Sequence, residues 1–276
     1  MQKEYWERVV EYTVAEAKAG RTPNPDVLCN QQIKFGQFYE VIDNGYEKVA
    51  TGHYAQAEKT DKGYILSRAP DPVKDQTYFL AQISQKQLSR ALFPIGKYNK
   101  EEVRGLAQEF NLPNKNRKDS QGICFLGKIS FTDFLRHHLG EKPGDFVDAG
   151  TRKTVGEHRG YWFYTIGQRQ GLGLSGGPWF VVKKDIEKNI IYLAQGYRPD
   201  EVYKSGFKVG PIHLITPERG KVGGECQVKI RHGAAMHDCR VDGNKITLKE
   251  PVHGVAAGQF AVFYDGDVCL GSAVII

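Results

Sequence analysis

The sequence predicts an α/β unit, then a small central domain, then a C-terminal β-barrel. Three observations carry this. Up to about residue 138, helical apolar stripes alternate with short strands. After Pro143-Gly144, glycine becomes frequent and the helical period disappears. From about residue 200, short strands separated by Asp-Gly and Gly-Asn turns follow one another, the pattern of a small barrel. The expected divisions are 1–138, 139–199 and 200–276.

Each element has a local reason. Apolar residues at 6, 9, 10, 14 and 17 form a helical stripe, and Gly20 ends it as a cap. Asn24 reads as the N-cap of a second helix with Pro25 at its first position, running into the forties with Ile33, Phe38, Val41 and Ile42 inward. Lys48-Val49-Ala50 is a short strand leading into Thr51-Gly52-His53-Tyr54. Residues 54–57 and 64–67 form a hairpin around Asp61-Lys62-Gly63. Ser84 with Gln87, and Asn99 with Glu102, are capping boxes for helices 85–92 and 100–110. Trp179 to Asp185 and Asn189 to Ala194 make a second hairpin. The glycine-rich loop 167–177 before it is not a phosphate cradle, because no helix follows. Strands are expected at 225–231, 237–242, 245–249, 259–264 and 267–275.

Composition bounds the function. At 276 residues, 40% hydrophobic and 25% charged, the chain is an ordinary globular protein of about two or three domains. No apolar run approaches the ~18 residues that span a membrane, and the N-terminus has no secretion signal, so a cytoplasmic, non-membrane protein is expected. Five scattered cysteines are no disulfide framework. Cys226, Cys239 and Cys269 lie on barrel strands and read as inert core residues. A zinc site with His237 would need a CxxC pair that is absent, so no metal site is expected. The net charge of +6 permits an acidic partner, and the basic run Asn114 to Lys118 lies beside Cys124.

Two stretches carry chemistry. In Thr22-Pro23-Asn24-Pro25-Asp26-Val27-Leu28-Cys29-Asn30, Asp26 and Cys29 are three apart on a new helix and share a face. The helix N-terminus favours a thiolate, and a neighbouring carboxylate suits acid/base work. A Pro-capped helix with a buried cysteine fits the same nine residues. In Lys118-Asp119-Ser120-Gln121-Gly122-Ile123-Cys124-Phe125, a second thiol follows a polar loop. If the fold brings the thiols together, one can carry sulfur and the other resolve it.

These stretches closely resemble the tRNA-specific 2-thiouridylases, the MnmA/TrmU family. The same holds for Ala50-Thr51-Gly52-His53-Tyr54, the run Lys74 to Leu80, Phe93-Pro94-Ile95-Gly96, the run Thr165 to Gly173 and the run Gly258 to Tyr264. The resemblance implies that residues 1–138 are the remainder of a PP-loop, adenine-nucleotide-hydrolase-like domain. One departure is that the family's Ser-Gly-Gly-x-Asp-Ser ATP loop occurs nowhere in these 276 residues.

By this resemblance the protein is a sulfurtransferase making 2-thiouridine at the wobble position of tRNA. ATP with Mg2+ activates the 2-carbonyl oxygen, which is a poor leaving group. The resemblance assigns Cys29 as nucleophile, Cys124 as persulfide carrier and Asp26 as general acid/base, with a Cys29–Cys124 disulfide left after transfer. It places Gly52 at ATP, and Asn24, Pro25 and Asp26 around the target base. It places His53, Lys74, Asp75, Gln76, Arg231, His232 and Gln259 against tRNA. A sulfur-relay protein or cysteine desulfurase is the implied donor. Without the ATP loop the chain alone is expected to be inactive. The alternative is a catalytically incomplete fragment that binds tRNA or a sulfur carrier.

Overall fold

In the computed structural model of the chain, all residues are described except 43–44, 117–126, 128, 197–201 and 216–221. Helix α1 runs through Gln2–Tyr5, Trp6–Val10 and Glu11–Lys18, its middle turn π-helical. Gly20 closes it at φ 78°, the left-handed conformation that glycine tolerates. Helix α2 runs through Pro25–Leu28, Cys29–Gln37 and Phe38–Val41, again with a central π-helical stretch. Helices α3 (Thr77–Leu80), α4 (Gln85–Arg90), α5 (Lys100–Glu109) and α6 (Phe131–Leu139) follow. Both expected capping boxes are present, on α4 and α5. The expected helix 85–92 stops at Arg90, because Ala91–Leu92 pairs as a strand.

The strands form three sheets among the described residues. β1 (Val49–Ala50) pairs in parallel with β4 (Ala91–Leu92). A four-stranded central sheet has the order β6-β5-β8-β7, from Gly144–Asp148 (β5), Thr154–His158 (β6), Trp179–Asp185 (β7) and Ile190–Gln195 (β8). The largest sheet holds nine strands. These are β2 (Ala55–Thr60), β3 (Gly63–Arg68), β9 (Tyr203–Lys208), β10 (His213–Leu214), β11 (Gly224–Lys229), β12 (His237–Asp242), β13 (Lys245–His253), β14 (Phe260–Asp265) and β15 (Val268–Val274).

Its path runs β2-β3-β15-β14-β11-β12-β13-β9. A bridge between Val209 and Ile275 brings the end of β9 back to the end of β15 and closes a barrel. Closure removes the exposed strand edges that invite aggregation. The barrel interior is apolar, with Val228, Ile230, Cys239, Val241, Ile246, Phe263 and Leu270 all buried.

One result departs from the sequence reading. The hairpin β2–β3 lies within the first 138 residues, yet β3 pairs with β15, Val268 opposite Ser67 and Cys269 opposite Leu66. The hairpin therefore extends the barrel sheet rather than the α/β layer. A mixed core follows, in which Val27, Phe35, Tyr78 and Leu88 pack with Phe260, Val262 and Tyr264. Burying some 1.5–3 kcal/mol of apolar side chain per residue on both sides welds the barrel to the helices around the site.

Candidate active site

The segment 22–30 is held from the barrel side. Thr22 N donates to Ala257 O at 2.8 Å. The Gln259 side-chain amide donates to Thr22 O at 2.8 Å and to Pro23 O at 3.4 Å. Gly258 lies between them at φ 91°, and a Cβ there would fall 2.9 Å from Thr22 N and 3.0 Å from Thr22 O. Only glycine fits that approach. Tyr78 OH donates to Phe260 O at 3.1 Å and reaches Gln259 Oε1 at 3.4 Å. Burial drives the Tyr78 phenol well above its ordinary pKa, so it stays a donor.

From that anchor α2 begins as the prolines dictate. Asn24 is extended, at φ −119° and ψ 93°, and its side-chain oxygen accepts from Val27 N at 3.4 Å. Pro25 is buried and Asp26 is half-buried. Cys29 has no exposed surface and packs with Tyr5, Val9, Val10, Ile33, Phe134 and Leu135. It opens the π-helical stretch of α2, a widening frequent at functional sites. Asp26 and Cys29 thus occupy one turn, the aspartate half-buried and the cysteine fully buried. Cys124 lies outside the described residues.

The opposite wall comes from the turn after β11. His232 is exposed and rests on Phe79, ring centroids 4.5 Å apart. Phe79 is tied to α2, because its carbonyl accepts from the Asn30 side chain at 3.1 Å. Arg231 is exposed beside His253, at 3.4 Å between Nη2 and Nε2. Lys74 and Gln76 are half-buried, and Gln76 Oε1 accepts from Tyr54 N at 3.0 Å.

Two residues expected to face tRNA, Asp75 and His53, lie in the interior. Asp75 has no exposure and does not face outward. Its carboxylate receives Lys229 Nζ at 2.8 Å and the Thr77 hydroxyl at 2.9 and 3.0 Å, with Arg68 Nε at 3.5 Å. Lys229 is equally buried, so each charge needs the other. His53 is 8% exposed, not open to a cleft. Its ring lies 5.9 Å from both Phe35 and Phe93, and Thr51 Oγ1 is 2.8 Å from Nδ1. Burial, aided by the Lys34 charge, pushes its pKa down to about 3. Pro25 is buried at the start of α2, and half-buried Gln259 donates its amide to the 22–23 backbone.

Gly52 is exposed at the carboxyl end of β1, where open-sheet ligands bind. It lines a cleft of about 630 Å³ with Pro94, Tyr98, Lys100, Arg104 and Phe110. A Cβ at Gly52 would meet nothing within 4 Å, so the space before it is open. The cleft lining includes the cations Lys100 and Arg104. No cluster of three or more metal-ligating side chains occurs among the described residues. No described helix is long and apolar enough to cross a membrane.

Sequence reasoning missed Lys229 and the Cys226–Cys239 contact. Lys229 is 154 residues from its partner, and no local signal exists for it. The cysteines did leave one, since they sit on two adjacent expected strands joined by a turn.

Comparison with known proteins agrees with this architecture. Residues 1–128 match the family described as tRNA methyl transferase HUP domain, residues 132–195 its PRC-barrel domain, and residues 204–275 the aminomethyltransferase beta-barrel domain. The chain is 49% identical over 282 residues to tRNA-specific 2-thiouridylase MnmA of Parabacteroides distasonis, covering 99% of this chain and 79% of that protein. It is 48% identical over 285 residues to MnmA 1 of Bacteroides thetaiotaomicron, covering 100% and 80%. It is 47% identical over 288 residues to MnmA of Porphyromonas gingivalis, with the same coverage. With similarity this high along its whole length, on a HUP domain, a PRC-barrel-like domain and a β-barrel, the chain belongs to the MnmA family of tRNA-specific 2-thiouridylases.

Proposed function

We propose that the chain performs the sulfur-transfer chemistry of tRNA 2-thiolation, moving sulfur from a cysteine persulfide to C2 of the wobble uridine. The observation that carries this is the single turn that holds half-buried Asp26 and buried Cys29, on a segment the barrel grips by its backbone. Family membership supports the substrate. ATP with Mg2+, when bound, makes the 2-carbonyl oxygen a leaving group. Gly52, Lys100 and Arg104 are the residues here that fit its edge.

The chain's own residues do the rest. The terminal sulfur of the Cys124 persulfide gives its proton to solvent and bonds to C2 as the activated 2-oxygen leaves. Asp26 accepts the Cys29 proton, and the Cys29 thiolate attacks the Cys124 sulfur. The S–S bond of the persulfide breaks, its terminal sulfur stays on the base, and a Cys29–Cys124 disulfide remains for reduction. The target uridine is splayed out of its stack to reach this point, with Asn24 and Asp26 around it. Lys74, Gln76, Arg231 and His232 form the RNA face. Asp75, His53 and Gln259 support it from within. The sulfur comes from a donor protein such as a sulfur relay or desulfurase, in the cytoplasm. The 276 residues carry no Ser-Gly-Gly-x-Asp-Ser loop, so this chain by itself is expected to bind tRNA weakly without completing ATP-dependent thiolation.

The test is photocrosslinking with tRNA carrying a photoreactive uridine at the wobble position. The crosslink should map to the tryptic peptide Thr22–Lys34. Crosslinks confined to barrel peptides, or unchanged when the probe is moved to the acceptor stem, would refute the placement.

A further inference from the structure

A second pair of thiols lies inside the barrel. Cys226 on β11 and Cys239 on β12 are directly opposite in register, with sulfurs 3.6 Å apart. Opposed residues of an antiparallel pair have Cα atoms about 4.5–5.5 Å apart. A disulfide spans Cα separations of about 4.4–6.8 Å. No backbone movement is therefore needed, only side-chain rotation to shorten the sulfur contact to a bond. Cys239 is 2% exposed, among Val228, Val241 and Leu248, whereas Cys226 is half-buried and gives solvent a way in. Cys269, by contrast, is fully buried in the mixed core.

We propose that Cys226 and Cys239 form a reversible oxidation site, closing to an intrachain disulfide by exchange with a low-molecular-weight disulfide of the glutathione class. This goes beyond the sulfur-transfer reading and uses neither Cys29 nor Cys124. Cys226 is the first attacker because it is the sulfur that solvent reaches. Contact with Cys226, and then burial, holds the Cys239 thiol well above its ordinary pKa, so it stays protonated until its neighbour is modified. Cys226 loses its proton to water and attacks one sulfur of the small disulfide, releasing one thiol. Cys239 then gives up its proton and attacks the Cys226 sulfur of the mixed disulfide, releasing the second thiol. Two electrons pass from the protein thiols to the small disulfide, which leaves as two thiols.

Trypsin separates the pair, leaving Cys226 in peptide 222–229 and Cys239 in peptide 232–240. The full chain is incubated with oxidised glutathione, quenched by alkylation in denaturant, and digested without reductant. The expected result is one crosslinked species joining these peptides, lighter than their sum by two hydrogens, with label lost from both together. Dithiothreitol before alkylation restores both labels. Cys226→Ser should abolish the species while Cys239 takes full label in denaturant. Glutathione retained on Cys226 with no internal crosslink, or crosslinks from Cys226 to Cys269, would overturn the proposal. Thermal melting of Cys226→Ser at the wild-type temperature guards against a folding artefact. Any Cys29–Cys124 bond reports on the separate peptides 22–34 and 119–128.

Discussion

Asp26 and Cys29 are one turn apart, yet the structure gives them different environments, half-buried for the carboxylate and fully buried for the thiol. An acid/base role for Asp26 predicts that Asp26→Asn slows sulfide release from the persulfide-loaded chain by about 10²–10⁴-fold. A persulfide assay at neutral pH measures this, and melting should be unchanged. On the proposed RNA face, Arg231→Ala with Lys74→Ala should weaken tRNA binding and reduce the slope of log affinity against log salt by about 2. Filter binding across a salt series reads it. His53 makes a pH prediction. Its folded pKa of about 3 lies below the ordinary 6.5, so the unfolded chain binds the extra proton between those values. The stability it contributes is intact above pH 6.5 and is lost as pH falls toward 3. Between pH 7 and pH 5 the loss should be about 2 kcal/mol. Urea unfolding of His53→Phe should show a correspondingly flatter acid limb. The burial of His53 was not legible in its own tetrapeptide. Phe35 and Phe93, which bury it, lie elsewhere in the chain.

Elements explain why the Asp26–Cys29 turn is so placed. Asn24, Ser84 and Asn99 as caps were legible because a cap is decided within four residues. The grip of the 257–259 loop on Thr22 was not, because a backbone-to-backbone approach leaves no side-chain pattern. That grip sets the direction of α2. Gly258→Ala should therefore cost about 1–3 kcal/mol, through the positive φ and the clash with Thr22. It should also raise amide hydrogen exchange across residues 22–29. Unaltered exchange there, with stability lost elsewhere, would mean that the loop does not position the helix.

At the scale of the molecule, the barrel and the helical layer are one mechanical body. The hairpin β2–β3 joins the barrel sheet, and the buried Asp75–Lys229 pair ties the segment just before α3 to β11. Alternating apolar residues made the strands legible but not their partners, since β3 finds β15 about 200 residues later. Lys229→Met alone leaves Asp75 charged and buried, which should cost about 3–5 kcal/mol. Adding Asp75→Asn should recover much of it in a double-variant unfolding cycle, and additive losses would contradict the coupling.

In the proposed chemistry Cys29 resolves a persulfide on Cys124. The most direct measurement loads the chain with sulfane sulfur from polysulfide, removes the excess, and follows sulfide release under reductant-free conditions. Wild type should release sulfide and accumulate a crosslink between peptides 22–34 and 119–128, while Cys29→Ser keeps its persulfide on Cys124. Equal sulfide release from wild type and Cys29→Ser, with no such crosslink, would contradict the account.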